Sequence, residues 1–241
     1  MRLNGKRPED MHKALGVAAE VIPRFAAREI STVEMGAGNV ITRVSYKPDE
    51  YIVRVNVAAS TYAEAMEARM ALAEWANAAA EETAKAEPTH LHGKVYNVVL
   101  DKISPVEKRF DVCDVVFMVP DPFLYDAGLS AATGKGGKLV LYYQGTHPVE
   151  PVLTVTLDEA AEGLTLSEDG TAFFTLHGAL EKGSTVEINM QTAAVLVNGQ
   201  HAENRISYTG TNVDKCFRQG RHEIISSVSA AMTARWTNTW R

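Results

Sequence analysis

What most constrains this chain is the contrast between many short strand-like runs and a single stretch able to form a long helix. In residues 51–57, Tyr51, Val53, Val55 and Val57 fall on one side and Arg54 and Asn56 on the other. That alternation is the period of a half-buried β-strand. Residues 94–100 and 112–119 repeat it, and a second series follows at 138–143, 152–157, 172–177, 185–190, 193–197, 222–228 and 232–236. Runs of this length, about ten residues apart with turn residues between them, predict β-sandwiches. Asn198-Gly199, directly after Val195-Leu196-Val197, is a hairpin turn signal.

The one long helix is expected over 61–86. Its sequence is rich in Ala, the best helix former. Thr61 followed by Glu64 has the form of a capping box. Ala65, Ala68, Leu72, Trp75 and Ala79 recur at helical spacing and make one apolar stripe, opposite Glu64, Glu67, Glu74 and Glu81. Pro88 follows just beyond, as helix stops often do. A weaker, shorter helix is expected over 9–19. Residues 131–138, small and rich in Gly, read as a linker. They separate an N-terminal domain, 1–130, from an all-β domain, 139–241. The expected class is mainly β: a β-sandwich or split barrel with one helix, then a second β-sandwich.

Composition removes several function classes. The chain has 241 residues and a net charge of −6, so a bulk electrostatic grip on nucleic acid is not expected. No apolar run approaches the roughly 18 residues of a membrane span, and the N-terminus lacks the apolar core of a signal peptide. Two cysteines, Cys113 and Cys216, are too few for a disulfide framework and have no metal-ligand spacing. They read as two buried thiols of a protein made in a reducing place.

Thr133-Gly-Lys-Gly-Gly137 has the wrong order for a phosphate loop and no helix after it. Gly36-Ala37-Gly38-Asn39 reads as a turn. His90 and His92 alternate, as on one face of a strand, but a metal needs a third ligand that nothing nearby supplies, so they read as loop histidines. Asp111, Asp114 and Asp121 cluster in one strand region, where solvated acids are the ordinary reading and a hydrolytic pair the special one. Trp75 reads as core. Trp236 and Trp240 pack a terminal strand or, with Tyr142 and Tyr143, offer rings to a sugar. No catalytic, cofactor-binding or metal-binding residue is assigned, no cofactor is implied, and the binding residues are left open.

The order of landmarks carries more than any one of them. Leu3-Asn4-Gly5 opens the chain, and a Gly-rich turn at 35–39 precedes the 51–57 strand. The helix carries Leu72-Ala73-Glu74-Trp75, and Tyr96 follows in the next strand. Then come Asp121-Pro122-Phe123-Leu124-Tyr125, Tyr143-Gln-Gly145-Thr146 before Pro151, and Gly183 before Val197-Asn198-Gly199. Phe217, Gly220 and Arg235-Trp236 close the series. Along nearly the whole chain this resembles the distal tail proteins of long, flexible-tailed bacteriophages. It departs from them at 35–39, where relatives often have a Pro-Gly-Arg-x-Gly turn and this chain has no arginine.

The resemblance implies a ring-forming N-terminal domain, six copies to a ring, and a galectin-like C-terminal β-sandwich. The ring joins the tail tube protein to the tail-tip hub protein and carries receptor-binding or side-fibre proteins. The protein is then a virion component of the tail tip, assembled in the host cytoplasm, and not an enzyme. The alternative is a carbohydrate-binding protein acting through the second sandwich. A wall-degrading hydrolase built on Asp111, Asp114 and Asp121 is the third reading.

Overall fold

The computed structural model describes residues 1–23, 28–35, 38–106, 109–207 and 215–241, with side chains described outside 24–46, 106–110 and 208–214. The chain forms two compact units, Met1–Ala127 and Gly128–Trp240.

In the first unit the alternating runs become an antiparallel sheet because each has one apolar side to bury. Its strands are β1 (Arg2–Leu3), β2 (Leu15–Val21), β5 (Asp49–Val57), β6 (Ala84–Glu87), β7 (Lys94–Val106) and β8 (Arg109–Val119), in the order β1-β6-β7-β8-β5-β2. Between β2 and β5 the chain makes a separate two-stranded hairpin, β3 (Arg28–Met35) with β4 (Gly38–Tyr46). Gly36 and Ala37 of the expected Gly-rich turn lie outside the described residues. A short strand β9 (Leu124–Asp126) pairs with the start of β7. β7 changes partner along its length: Val98 faces β6, while Val99 onward faces β8, with a register shift between Leu100 and Lys102. Such a shift lets a long strand bend from one set of neighbours to another.

The helix lies over one face of this sheet. It is α2, Tyr62–Asn77, after a one-turn α1 (Pro8–Met11). Thr61 caps it by accepting from the Glu64 N–H, 3.1 Å, while the Glu64 carboxylate reaches the Ser60 N–H at 2.8 Å, one residue before the cap. Ala68, Leu72, Trp75 and Ala76 are buried against Tyr51, Val53, Val115 and Phe117. Trp75 meets Phe117 edge to face, ring centres 5.9 Å apart, and donates its indole N–H to the Lys6 carbonyl at 3.0 Å. Both polar and apolar parts of the ring are thus satisfied, as a buried Trp requires.

Three expected elements are corrected. The helix stops at Asn77 and does not reach residue 86. Ala84–Glu87 is a strand instead, with Ala84 opposite Val98 and Ala86 opposite Tyr96. Alanine has a high helix propensity, but Ala84 and Ala86 are both buried and alternate with exposed Lys85, so sheet pairing overrides it. The helix expected over 9–19 is only the turn Pro8–Met11; Leu15–Val21 pairs with β5, Leu15 opposite Val57. Gly16 and the β-branched Val17 and Val21 suit that strand better than a helix.

The third correction is the linker. Residues 131–138 run through strand β10 (Ser130–Gly134), a turn, and the first residue of β11 (Lys138–Tyr143). β10 pairs with β19 (Ala230–Trp236), Ser130 opposite Trp236 and Gly134 opposite Met232. A backbone ladder needs no large side chains, so a strand of Ser, Ala, Thr and Gly reads as a linker until its partner is seen.

The second unit is a β-sandwich. Its further strands are β12 (Val152–Leu157), β13 (Ala161–Glu168), β14 (Thr171–Leu180), β15 (Thr185–Asn189), β16 (Ala194–Val197), β17 (Gln200–His201) and β18 (Gly220–Ser226). One sheet runs β10-β19-β12-β15-β16-β17 and the other β11-β18-β13-β14. Alternate residues of both sheets, among them Leu139, Leu141, Leu153, Val155, Leu166, Phe174, Ile188 and Ile224, form one core. At Asn198 (φ 50°) and Gly199 (φ 78°) both turn residues are left-handed, the conformation an Asn-Gly hairpin turn demands.

Candidate binding surfaces

The residues singled out for chemistry do not converge. Asp114 is held by Arg54, whose Nε and terminal nitrogen donate to its two oxygens at 2.8 Å each. Those hydrogen bonds, and the charge behind them, raise the Arg54 guanidinium above its ordinary value. Asp111 lies three residues away, near the start of the same strand, and is exposed. Asp121 lies past the end of β8, accepting from the Tyr125 hydroxyl at 2.7 Å. Burial, and then that carboxylate, push the Tyr125 phenol upward. The three acids occupy three places and form no facing pair.

His90 and His92 are not in a strand. They sit in the turn between β6 and β7, which Pro88 opens and Gly93 (φ 74°) closes, and both are exposed. Among the described residues no group of three or more His, Cys, Asp or Glu is placed to hold a metal ion. Cys113 is buried, but Cys216 is exposed, which corrects the expected pair of buried thiols. Cys216 belongs to a segment held through its neighbours Lys215 and Phe217, so its own side chain is not needed in the core.

The aromatic side chains divide in the same way. Of the four rings considered for a sugar, Trp236 and Tyr143 are core residues, Trp240 is half-buried, and Tyr142 is well exposed, at 63%. Trp236 donates to the buried Asn238 side chain at 3.0 Å, and Asn238 donates to Ser130 Oγ at 3.2 Å. The Tyr143 hydroxyl donates to the His147 carbonyl and accepts from the Thr239 N–H at 3.1 Å. Gly145 lies under that hydroxyl: a Cβ there would sit 2.2 Å from the Tyr143 oxygen and 2.4 Å from the Thr239 carbonyl. The Tyr143-Gln-Gly145 landmark is therefore a packing device, and its aromatic ring is not available to stack on a ligand.

Two side-chain clusters remain. On the second unit, Glu168 accepts from His222 Nδ1 at 2.6 Å and pairs with Lys215, while His222 Nε2 faces the Arg218 carbonyl at 2.6 Å. The Lys215 ammonium lies 4.7 Å from the Phe173 ring centre, and His222 stacks on Phe217 at 4.6 Å. Burial pushes the Glu168 carboxyl up, but the hydrogen bonds and charges of Lys215 and His222 outweigh it and hold the group below its ordinary value. On the first unit, Glu20 gathers the Met1 amino group, the Thr89 N–H and the Tyr51 hydroxyl, beside a shallow cavity of about 360 Å³. Both clusters satisfy their own members and tie strands together.

Two surfaces are left uncovered. On α2, Tyr62, Met66 and Met70 stand one turn apart on the solvent side, 81%, 39% and 70% exposed. In sequence that side is marked by its glutamates, and the spacing of four residues between these three is the signal that finds them. On the second unit, a cleft of about 370 Å³ opens between β10 and β11, bordered by Ala132, Val140, Tyr142 and Gln144 with Trp236 and Asn238. The phosphate-loop lookalike, Thr133 to Gly137, is the last two residues of β10 and the turn into β11.

Against known proteins, residues 144–240 match the family described as siphovirus-type tail component, C-terminal domain. The chain is similar in fold to the Dit protein (gp 19.1) of phage SPP1, described as a paradigm of the hub adsorption apparatus in phages infecting Gram-positive hosts. That likeness has a TM-score of 0.75 at 12% identity and covers 100% of this chain and 98% of the other. A protein of the phage P2 baseplate in its activated conformation with Ca matches at 6% identity and TM-score 0.46, over 93% of this chain and 90% of the other. No curated protein matches the chain in sequence.

Proposed function

We propose, for a chain that resembles the siphophage distal tail proteins in fold along its whole length and in sequence over residues 144–240, that it is a structural component of the tail-tip hub and closes into a homohexameric ring. The observation that carries the reading is the siphovirus tail-component match over 144–240, which falls on the unit whose sandwich the structure describes. In this reading the first unit forms the ring between tail tube and tip hub. The second is a galectin-like sandwich that offers attachment points to receptor-binding or side-fibre proteins. The chain works by assembly, not catalysis, in a virion built in the host cytoplasm.

The physical support is the surface. Closed rings use heterologous contacts, in which one patch of each copy meets a different patch of the next. A first unit whose helix shows solvent a Tyr62-Met66-Met70 ridge has apolar surface that a monomer has no use for. Native mass by light scattering over a concentration series, with negative-stain imaging, tests the ring. Particles of six times 26.3 kDa with a central hole are expected. A chain that stays monomeric both alone and when mixed with its tube and hub proteins removes the reading.

A further inference from the structure

In the Glu168 cluster of the second unit, both nitrogens of one imidazole ring face oxygens that accept. His222 Nδ1 lies 2.6 Å from Glu168 Oε1, and Nε2 lies 2.6 Å from the Arg218 carbonyl oxygen. A neutral imidazole has one N–H and one lone pair, so it satisfies one of these contacts and not both. Only the imidazolium donates from both nitrogens. Glu168 cannot supply the missing proton at neutral pH, because its carboxyl is held below its ordinary value and is ionised there. Nor can water: the His222 and Glu168 side chains are 15% and 13% exposed, and 2.6 Å leaves no room for a bridging molecule.

The surroundings suit a charged ring. His222 stacks on Phe217 with the planes 28° apart, and an aromatic face attracts a cation. Lys215 is a second cation on the same carboxylate, but the two take different oxygens, Oε1 for His222 and Oε2 for Lys215. Arg221 and Glu223, the charged neighbours on β18, pair with each other on the other face of that strand. The Arg218 side chain is exposed, and β11 places the apolar Leu141 opposite His222. What the ring holds is the segment that leads into β18. Phe217 there exchanges hydrogen bonds with Val149, its N–H donating at 2.7 Å and its carbonyl accepting at 2.9 Å. Gln219 donates to the Gln144 carbonyl at 3.3 Å.

We propose that His222 is a proton-operated clasp: doubly protonated, it fastens residues 215–219 to β13, and on losing one proton to solvent it releases the Arg218 end. The carboxylate keeps the Nδ1 proton, since a hydrogen bond to a charged acceptor is the stronger of the two. Nε2 therefore gives up its proton, and its lone pair then faces the carbonyl oxygen. The sign follows. The fastening is present while the ring is charged and is lost as pH rises through the titration of His222. The clasp lies wholly within the second unit and does not rest on ring assembly.

Long-range proton–nitrogen NMR spectra of the full chain read the ring directly, with His222→Gln to assign it. At pH 7 both nitrogens are expected to carry protons. Protection of the Phe217 and Val149 amides, corrected for the intrinsic rise of exchange with pH, is expected to fall about tenfold as the ring titrates, the loss of one charge-assisted hydrogen bond. The Val155 amide, in β12, is expected to hold. In His222→Gln, which has no ring to titrate, the fall is expected to be absent. Glu168→Gln keeps an acceptor but loses the charge that retains the proton, and is expected to move the fall to lower pH. A neutral ring at pH 7, a fall that persists in His222→Gln, protection that stays flat while the ring titrates, or an unmoved fall in Glu168→Gln overturns the proposal.

Discussion

Glu168 shows how one residue sets local stability in this molecule. Its two oxygens are divided between His222 and Lys215, and these in turn fix Phe217 and the Arg218 carbonyl. Because the folded carboxyl is held below its ordinary value, its contribution is fully present above the unfolded pKa and is lost as pH falls through the lower folded one. Glu168→Gln is expected to cost about 1.5–3 kcal/mol at pH 7, the range for hydrogen bonds to charged groups. The gap to the unaltered protein should narrow below about pH 4, where an unfolded carboxyl is protonated. Urea midpoints at pH 7 and pH 3 check this, and a gap of the same size at both would show that the cluster's charge is not what stabilises it. His222 looked from the sequence like one scattered histidine among seven, since its partner stands 54 residues away.

At the scale of the element, the turn from β10 to β11 depends on glycine for two different reasons. Gly136 has a left-handed φ of 63° with open space around its missing Cβ, whereas Gly137, at 78°, would place a Cβ 2.6 Å from the Val228 carbonyl. Gly136→Ala meets only backbone strain, about 1 kcal/mol. Gly137→Ala meets that strain and a contact with backbone that cannot swing aside, so it is expected to cost more, about 2–4 kcal/mol. Thermal unfolding of the two variants checks the order, and equal losses would mean that the turn relaxes freely. The same segment marks where sequence reading fails. Alternation located β5, β8, β11 and β12 because each has a row of large apolar residues to bury. It missed β10 and β6, whose Ala and Ser residues carry no such row, and it ran α2 on to residue 86 because alanine serves helix and buried strand alike. The cleft is illegible in sequence for the same reason: one wall has the composition of a linker, and its opening depends on partners about a hundred residues further on.

For the whole molecule, what the sequence made legible was an order of landmarks, and the structure explains what those landmarks are. Trp75, Tyr143, Phe217 and Trp236 are core, Gly145 is a close approach, and Asn198-Gly199 is a turn. They mark an architecture and not a site, which is why they point to a family of structural proteins while leaving its binding residues unassigned. The same residues also divide into two separate cores, one gathered around α2 and β5 and the other between the two sheets of the second unit. Each core is closed by its own strands, so each is expected to melt as its own cooperative unit. Leu72→Ala removes a side chain from the first core and Phe174→Ala one from the second, both wholly buried. Truncations of this kind cost about 2–5 kcal/mol, enough to lower a unit's midpoint by on the order of 10 °C. Calorimetry of the full chain should show two transitions, with Leu72→Ala lowering one and Phe174→Ala the other. A single transition that both variants lower alike would mean that the two cores unfold as one.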